Sequence, residues 1–151
     1  YEILRGDWSS DVCSSDLVVP LKDELGYTRG AASYHVIHRE LCKVLAQRGE
    51  KVELVEDAGE CGTVCFDNPV AYDLVNQAGY KVAGAGQRRT KHGLLHQGSV
   101  LTRLDADVFG QQFANQLAVS HEKWRATRSH AKRVAEMELG RYGTKDWLMK
   151  R

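Results

Sequence analysis

From Lys51 to Leu101 the apolar residues come in short runs divided by turn residues, too closely spaced for a regular series of crossover helices. Lys51 to Val55 (KVELV) alternates like a half-buried strand, and Glu56 to Thr63 reads as an acidic, glycine-containing loop. Val64, Cys65 and Phe66 form a short strand candidate that Asp67, Asn68 and Pro69 break. Tyr72 to Val75 and Tyr80 to Ala83 are two more, joined by Asn76-Gln77-Ala78-Gly79, a hairpin-turn composition. Arg88 to Gly93 reads as a basic loop, and Gly93 to Leu101 as a strand carrying Leu94, Leu95, Val100 and Leu101. Upstream, Leu17, Val18 and Val19 look like the end of a buried strand closed by Pro20, and Lys22 to Gly30 is a polar loop. The pattern predicts an α+β fold with a mixed or antiparallel sheet and packed helices.

Three helical segments accompany these strands. Tyr34, Ile37, Leu41, Val44 and Leu45 fall at helical spacing, with Ser33 as the expected N-cap and Gly49 as the stop. Asp105 or Asp107 can cap a helix reaching Leu117. Ser129 to Leu139 is predicted helical, with Ala131, Val134, Ala135 and Met137 inward and Gly140 ending it; a last helical turn covers Thr144 to Met149.

A chain of 151 residues, 42% hydrophobic, can bury one real core but not two. The formal net charge of +1 argues against a dedicated nucleic-acid binder, and no apolar run approaches membrane-spanning length, so neither nucleic acid nor membrane is an expected partner. Four cysteines, Cys13, Cys42, Cys61 and Cys65, make no dense framework and fit a reduced, cytoplasmic protein. Asp7 to Leu17 (DWSSDVCSSDL) stands apart, because it matches residue for residue a translated frame of a common sequencing-library adapter. On that reading residues 1–17 are an artefact outside the native fold, Cys13 is no site and Trp8 no anchor, and residues 18–151 carry the native sequence.

Several residues can carry chemistry. Lys81 follows the Gly79 turn and precedes AGAGQRR. An ammonium there can stabilise an oxyanion developing on an acyl carbonyl, while Gly84 and Gly86 let backbone approach a ligand; the competing reading is a solvated hairpin lysine. Cys65, sixteen positions earlier, can be a nucleophile that holds an acyl group as a thioester if a cation such as Lys81 lowers its pKa, or else a buried strand cysteine. Cys61, Cys65, His92 and His96 contain two zinc half-sites, but the long gap between them disfavours a metal, and His96 on an apolar strand reads better as a hydrogen-bonded core residue. Arg88, Arg89, Lys91 and His92 form a basic cluster suited to a phosphate or to an acidic protein surface.

KVAGAGQRRTKHGLLHQGSVL resembles the K-x-x-G-x-A/G segment of the lipoate–protein ligase and octanoyltransferase family, which shares the biotin/lipoate A/B ligase catalytic fold. CFDNPVAYDLV resembles the cysteine-bearing segment of its octanoyltransferase branch, and RYGTKDWLMKR its C-terminal ending. The resemblance implies Cys65 and Lys81 as catalytic residues and places Gly84, Ala85, Gly86, Gln87, His96 and Gly98 at the substrate. It implies transfer of an octanoyl or lipoyl group to a lysine of a lipoyl-carrier domain: glycine cleavage H protein or a 2-oxoacid dehydrogenase E2, with acyl carrier protein as a possible donor. That route requires no metal or cofactor. An ATP- and magnesium-dependent ligase acting through lipoyl-AMP and a non-catalytic acyl- or carrier-binding module are the alternatives. The family's Arg-Arg-x-x-Gly-Gly-Gly segment, which lines the acyl tunnel, is missing upstream of LVVP, so the chain is expected to be an N-terminally truncated domain of low stability.

Overall fold

The computed structural model describes residues 12–56, 69–118, 120–122, 125, 127–142 and 144. The chain divides into two units, Tyr1–Val119 and Ser120–Arg151. In the first, six strands among the described residues form one sheet: β1 (Val12–Ser14), β2 (Leu17–Pro20), β3 (Val52–Leu54), β4 (Leu74–Asn76), β5 (Lys81–Thr90) and β6 (Gly93–Leu101). β6 pairs with β5 along one edge and with both β1 and β2 along the other, and β4 and β3 follow β5 outward. Every pairing is antiparallel, as the close strand spacing requires.

Val12–Ser14 lies within the segment read as adapter-derived. This segment pairs with Ser99–Leu101 of β6, and Cys13 is buried in the core. Burial, then the nearby Asp105 and Glu50 carboxylates, pushes its thiol pKa up, consistent with an inert packing role.

Helix α1 (Glu24–Tyr27) occupies part of the expected polar loop, because Gly26 packs directly on the Pro20 carbonyl and its N–H bonds Asp23. α2 (Ala31–Gln47) begins two residues before the predicted cap: Gly30 is its N-cap, and the Ser33 hydroxyl is engaged in the first turn. The expected apolar stripe is buried at Ile37, Leu41, Val44 and Leu45. α3 (Ala106–Leu117) packs against α2, with Phe109 and Phe113 stacked 5.9 Å apart in the same core as Leu74, Val82, Ala83, Leu94 and Val100. Gln116 of α3 also donates to Glu40 of α2. Burial alone would raise the Glu40 carboxyl, but hydrogen bonds from Lys43, Gln116 and Arg39 hold its pKa at about 2.

Asp105 caps α3 as predicted, its carboxylate accepting from the N–H groups of Asp107 and Val108 at 3.1 and 3.0 Å. Asp105→Ala is expected to cost about 1 kcal/mol, read as a lower urea midpoint with an unchanged slope.

In the second unit, α4 (Arg128–Met137) runs into a π-helical turn (Glu138–Tyr142), so Gly140 does not end it. The expected inward stripe is wrong. Ala131, Val134, Ala135 and Met137 are all exposed, and α4 buries no residue. The predicted strand at 64–66 and all but the first residue of the turn at 144–149 lie outside the described residues.

Candidate active site

The hairpin between β4 and β5 builds the centre of the site. Asn76 Oδ1 accepts from the N–H groups of Ala78 and Tyr80 at 3.0 Å, and Gly79 adopts a φ of 81° that an L side chain resists. This tight turn delivers Lys81 as the first residue of β5, with Asp73 just before β4 on the other arm. Lys81 Nζ sits 2.8 Å from Asp73 Oδ2; the Lys81 side chain is 9% exposed and that of Asp73 0%. A charge pair this buried persists only when its remaining lone pairs are filled. Here Tyr34 Oη donates to Asp73 Oδ1 at 2.5 Å, and the Val70 N–H donates to Oδ2 at 2.9 Å. The Ala85 N–H in turn donates to Tyr34 Oη at 2.8 Å. Burial, reinforced by the hydrogen bond to Asp73, raises the Tyr34 pKa and keeps it a phenol.

Gly84 explains the lysine-to-glycine spacing. A Cβ at Gly84 would lie 2.3 Å from Lys81 Cε, 2.7 Å from Nζ and 3.2 Å from Asp73 Oδ1. The lysine therefore crosses the face of its own strand through the volume that only glycine leaves empty. At Gly98 the corresponding volume is filled by Ser15 Oγ, 2.3 Å from where a Cβ would stand, whereas Gly86 faces open space.

Gln87, His96 and Arg89 lie along the same two strands. Gln87 pairs with His96 across β5 and β6, and Gln87 Nε2 lies 3.2 Å from His96 Nδ1. The predicted basic loop at Arg88 to Gly93 is a correction: β5 continues to Thr90, and only Lys91 and His92 turn the chain. The basic cluster splits accordingly. Arg89 is drawn onto the Gly26 and Thr28 carbonyls and the Ser33 hydroxyl, leaving Arg88, Lys91 and His92 exposed. Cys61 and Cys65 lie outside the described residues. Among the described residues no group of three or more His, Cys, Asp or Glu is placed to hold a metal.

Two histidines are fully buried. His38 of α2 packs on Tyr34 at 4.0 Å and donates from Nδ1 to the Tyr72 carbonyl at 2.7 Å. Burial lowers its pKa to about 4, against the raising effects of the Tyr72 carbonyl and Asp73. His96 is likewise lowered to about 4 by burial and by His38. Unfolding returns both toward 6.5, so between those values the unfolded chain binds more protons. Stability is expected to be full above about pH 6.5 and to fall toward pH 4, by about 3 kcal/mol for the first histidine protonated. Urea titrations at pH 7, 5.5 and 4 read this, and a flat profile from 7 to 5.5 contradicts neutral buried imidazoles.

Asp73, Tyr34 and His38 were not evident as site residues from sequence. The one available signal was an aspartate inside an apolar strand candidate, eight residues before Lys81 across a turn.

With this geometry in place the sequence relatives can be weighed. Residues 15–146 match the profile of the lipoyl protein ligase A/B catalytic domain. The chain belongs to that family. An octanoyltransferase LipM of Brevibacillus brevis is 34% identical over 85 residues, covering 50% of this chain and 30% of the relative. Octanoyltransferase LipM of Bacillus subtilis is 51% identical over 45 residues, covering 30% and 16%, and that of Anoxybacillus flavithermus 48% over 50 residues, covering 33% and 18%. The matched stretches thus span less than a third of each of these relatives.

Proposed function

We propose that the protein transfers an octanoyl or lipoyl group to a lysine of a lipoyl-carrier domain through a thioester on Cys65. The observation that carries this reading is the Lys81 ammonium, fixed on Asp73 across Gly84 within the family's lysine motif. The names of the matched relatives favour octanoyl transfer over ligation.

In this mechanism the Cys65 thiolate attacks the carbonyl of an incoming acyl thioester, and the donor thiol leaves. Lys81, already oriented by Asp73, stabilises the oxyanion of the tetrahedral intermediate without reorganising during the reaction. The ε-amine of the carrier lysine then attacks the acyl-Cys65 carbonyl. The amide forms, the amine loses its proton, and the thiol is restored. Ala85, Gly86, Gln87 and Gly98 are proposed to lie near the substrate, Gly86 on the opposite face of β5 from Ala85 and Gln87, while the fully buried His96 acts through its neighbours rather than by touching substrate. The donor is an octanoyl or lipoyl thioester, with acyl carrier protein as one source. The acceptors are proteins of the glycine cleavage H and 2-oxoacid dehydrogenase E2 type, in a reduced cytoplasmic setting. No helix among the described residues is long and apolar enough to cross a membrane.

Intact mass spectrometry after incubation with an octanoyl thioester tests the proposal. Wild type is expected to gain one octanoyl group and Cys65→Ala none, with the adduct passing to added H protein. ATP-dependent lipoylation by both proteins, with no adduct on either, would assign the ligase chemistry instead. Undiminished function in both Cys65→Ala and Lys81→Ala would assign a non-catalytic binding module.

A further inference from the structure

His38 Nε2 and His96 Nε2 are both buried, and neither has a hydrogen-bond partner among the described residues. A buried polar atom left unpaired costs roughly 1–3 kcal/mol, so two in contacting rings require an explanation. The rings meet edge to face, 72° apart, with centroids at 5.5 Å. Two imidazoles joined Nε2 to Nε2 by a hydrogen bond of about 3 Å have centroids about 5 Å apart, close to the 5.5 Å between these rings.

With the Gln87 amide oxygen placed on Ser33, the surrounding bonds assign each proton to one nitrogen of its ring. An arginine can only donate, so Ser33 Oγ accepts from Arg89 at 2.7 Å. The single Ser33 hydroxyl hydrogen goes to its closer acceptor, Gln87 Oε1 at 2.7 Å, rather than to the Gly30 carbonyl at 3.1 Å. Gln87 therefore presents its NH2 group to His96 Nδ1, which must accept. A neutral His96 then holds its hydrogen on Nε2. At the other end a carbonyl can only accept, so His38 Nδ1 carries the hydrogen given to Tyr72 O, and the Nε2 lone pair of a neutral His38 is bare. The two unpaired nitrogens are one donor and one acceptor.

We propose that His96 Nε2–H donates to His38 Nε2, closing an oriented chain from Arg89 through Ser33, Gln87, His96 and His38 to the Tyr72 carbonyl, and that this chain positions Asp73 and through it Lys81. Tyr72 is what the chain acts on. Its φ of 70° lies in the left-handed region, unusual for a bulky residue, and costs on the order of 1–3 kcal/mol. The structure keeps it there with two backbone bonds, His38 onto its carbonyl and its N–H onto the Val55 carbonyl at 2.6 Å. The next residue is Asp73. Arg89, the last basic residue before the β5–β6 turn, thus acts from within the fold on the lysine at the other end of the same strand. His38 and His96 are positioning residues. Their effect on catalysis rests on the acyl-transfer reading above, while the proton placement does not.

Long-range 1H–15N correlation spectra of the protein labelled in its histidine rings test the chain. The expected result at pH 7 is His38 as the Nδ1–H tautomer and His96 as the Nε2–H tautomer, with the His96 ring proton protected from solvent exchange. In His38→Asn, whose amide can still serve the Tyr72 carbonyl, that protection should fall at least tenfold, and kcat for transfer should fall with KM for the thioester unchanged. His38 as the Nε2–H tautomer, His96 as the Nδ1–H tautomer, or an imidazolium at either position would overturn the proposal, and these readings need only the wild-type chain. Correct tautomers in a protein without transfer activity would reject the enzymatic reading and leave the chain standing.

Discussion

Gly84→Val is expected to lower acyl transfer by about 10²–10³-fold per folded molecule, the loss typical of removing one donor from a developing oxyanion, and to lower stability as well, because it separates the buried Lys81–Asp73 pair. The cause is steric and local. Any Cβ at this position enters the volume held by Lys81 Cε and Nζ, at 2.3 and 2.7 Å, and a branched side chain leaves the ammonium no path to Asp73. Lys81→Met should lose activity to a similar extent, because it removes the same charge by a different route. Single-turnover transfer from an octanoyl thioester measures the effect in both variants, and circular dichroism with urea unfolding checks the fold. Gly110→Ala in α3 is the control. Nothing lies within 4 Å of its added Cβ, so it should keep wild-type transfer and gain up to about 1 kcal/mol of helix stability. A Gly84→Val protein with normal transfer would mean that the lysine does not act from its place on Asp73.

How far the site could be read from sequence follows the range of the forces involved. Gly93–Leu101 and the Asn76–Gly79 turn were legible because their signals are local: paired apolar residues for the strand, turn chemistry for the hairpin. Arg88 and Arg89 were misread as loop because two adjacent charges rarely sit within a paired strand. Here successive residues face opposite sides, and Arg89 finds the Gly26 and Thr28 carbonyls sixty residues away in sequence. Ser33 has a capping side chain, yet the Arg89 and Gln87 groups recruit its hydroxyl and Gly30 takes the cap. Tyr34 reads from sequence as one more residue of an apolar helical stripe, and His38, one residue past Ile37 of that stripe, carries no local signal. Only the sheet packed against that face reveals that their polar ends meet Asp73 and Tyr72. Lys81 was legible as a residue type in a motif, but its function depends on a carboxylate that the turn folds back onto it.

Asp73→Ala is expected to destabilise the protein by about 3–5 kcal/mol, the range for removing one partner of a buried ion pair. The carboxylate is fully buried and serves three donors at once: Lys81 Nζ, Tyr34 Oη and the Val70 N–H. Truncating it strands an ammonium that is itself only 9% exposed, and takes the acceptor from a partly buried phenol. Asp73→Asn should fall between wild type and alanine, because an amide oxygen still accepts one hydrogen bond but returns no charge. The double variant Asp73→Leu with Lys81→Met separates the cost of the broken pair from the value of the intact one. With both charges gone, most of the lost stability should return, since a well-packed apolar pair often matches or exceeds a buried ion pair. Urea unfolding of wild type, Asp73→Leu, Lys81→Met and the double variant reads the coupling, and an Asp73→Ala protein as stable as wild type would contradict burial of the pair. The double variant should nonetheless transfer no faster than Lys81→Met alone. Stability recovered without activity would locate the reason for this buried charge in the chemistry at Lys81 rather than in holding the sheet together.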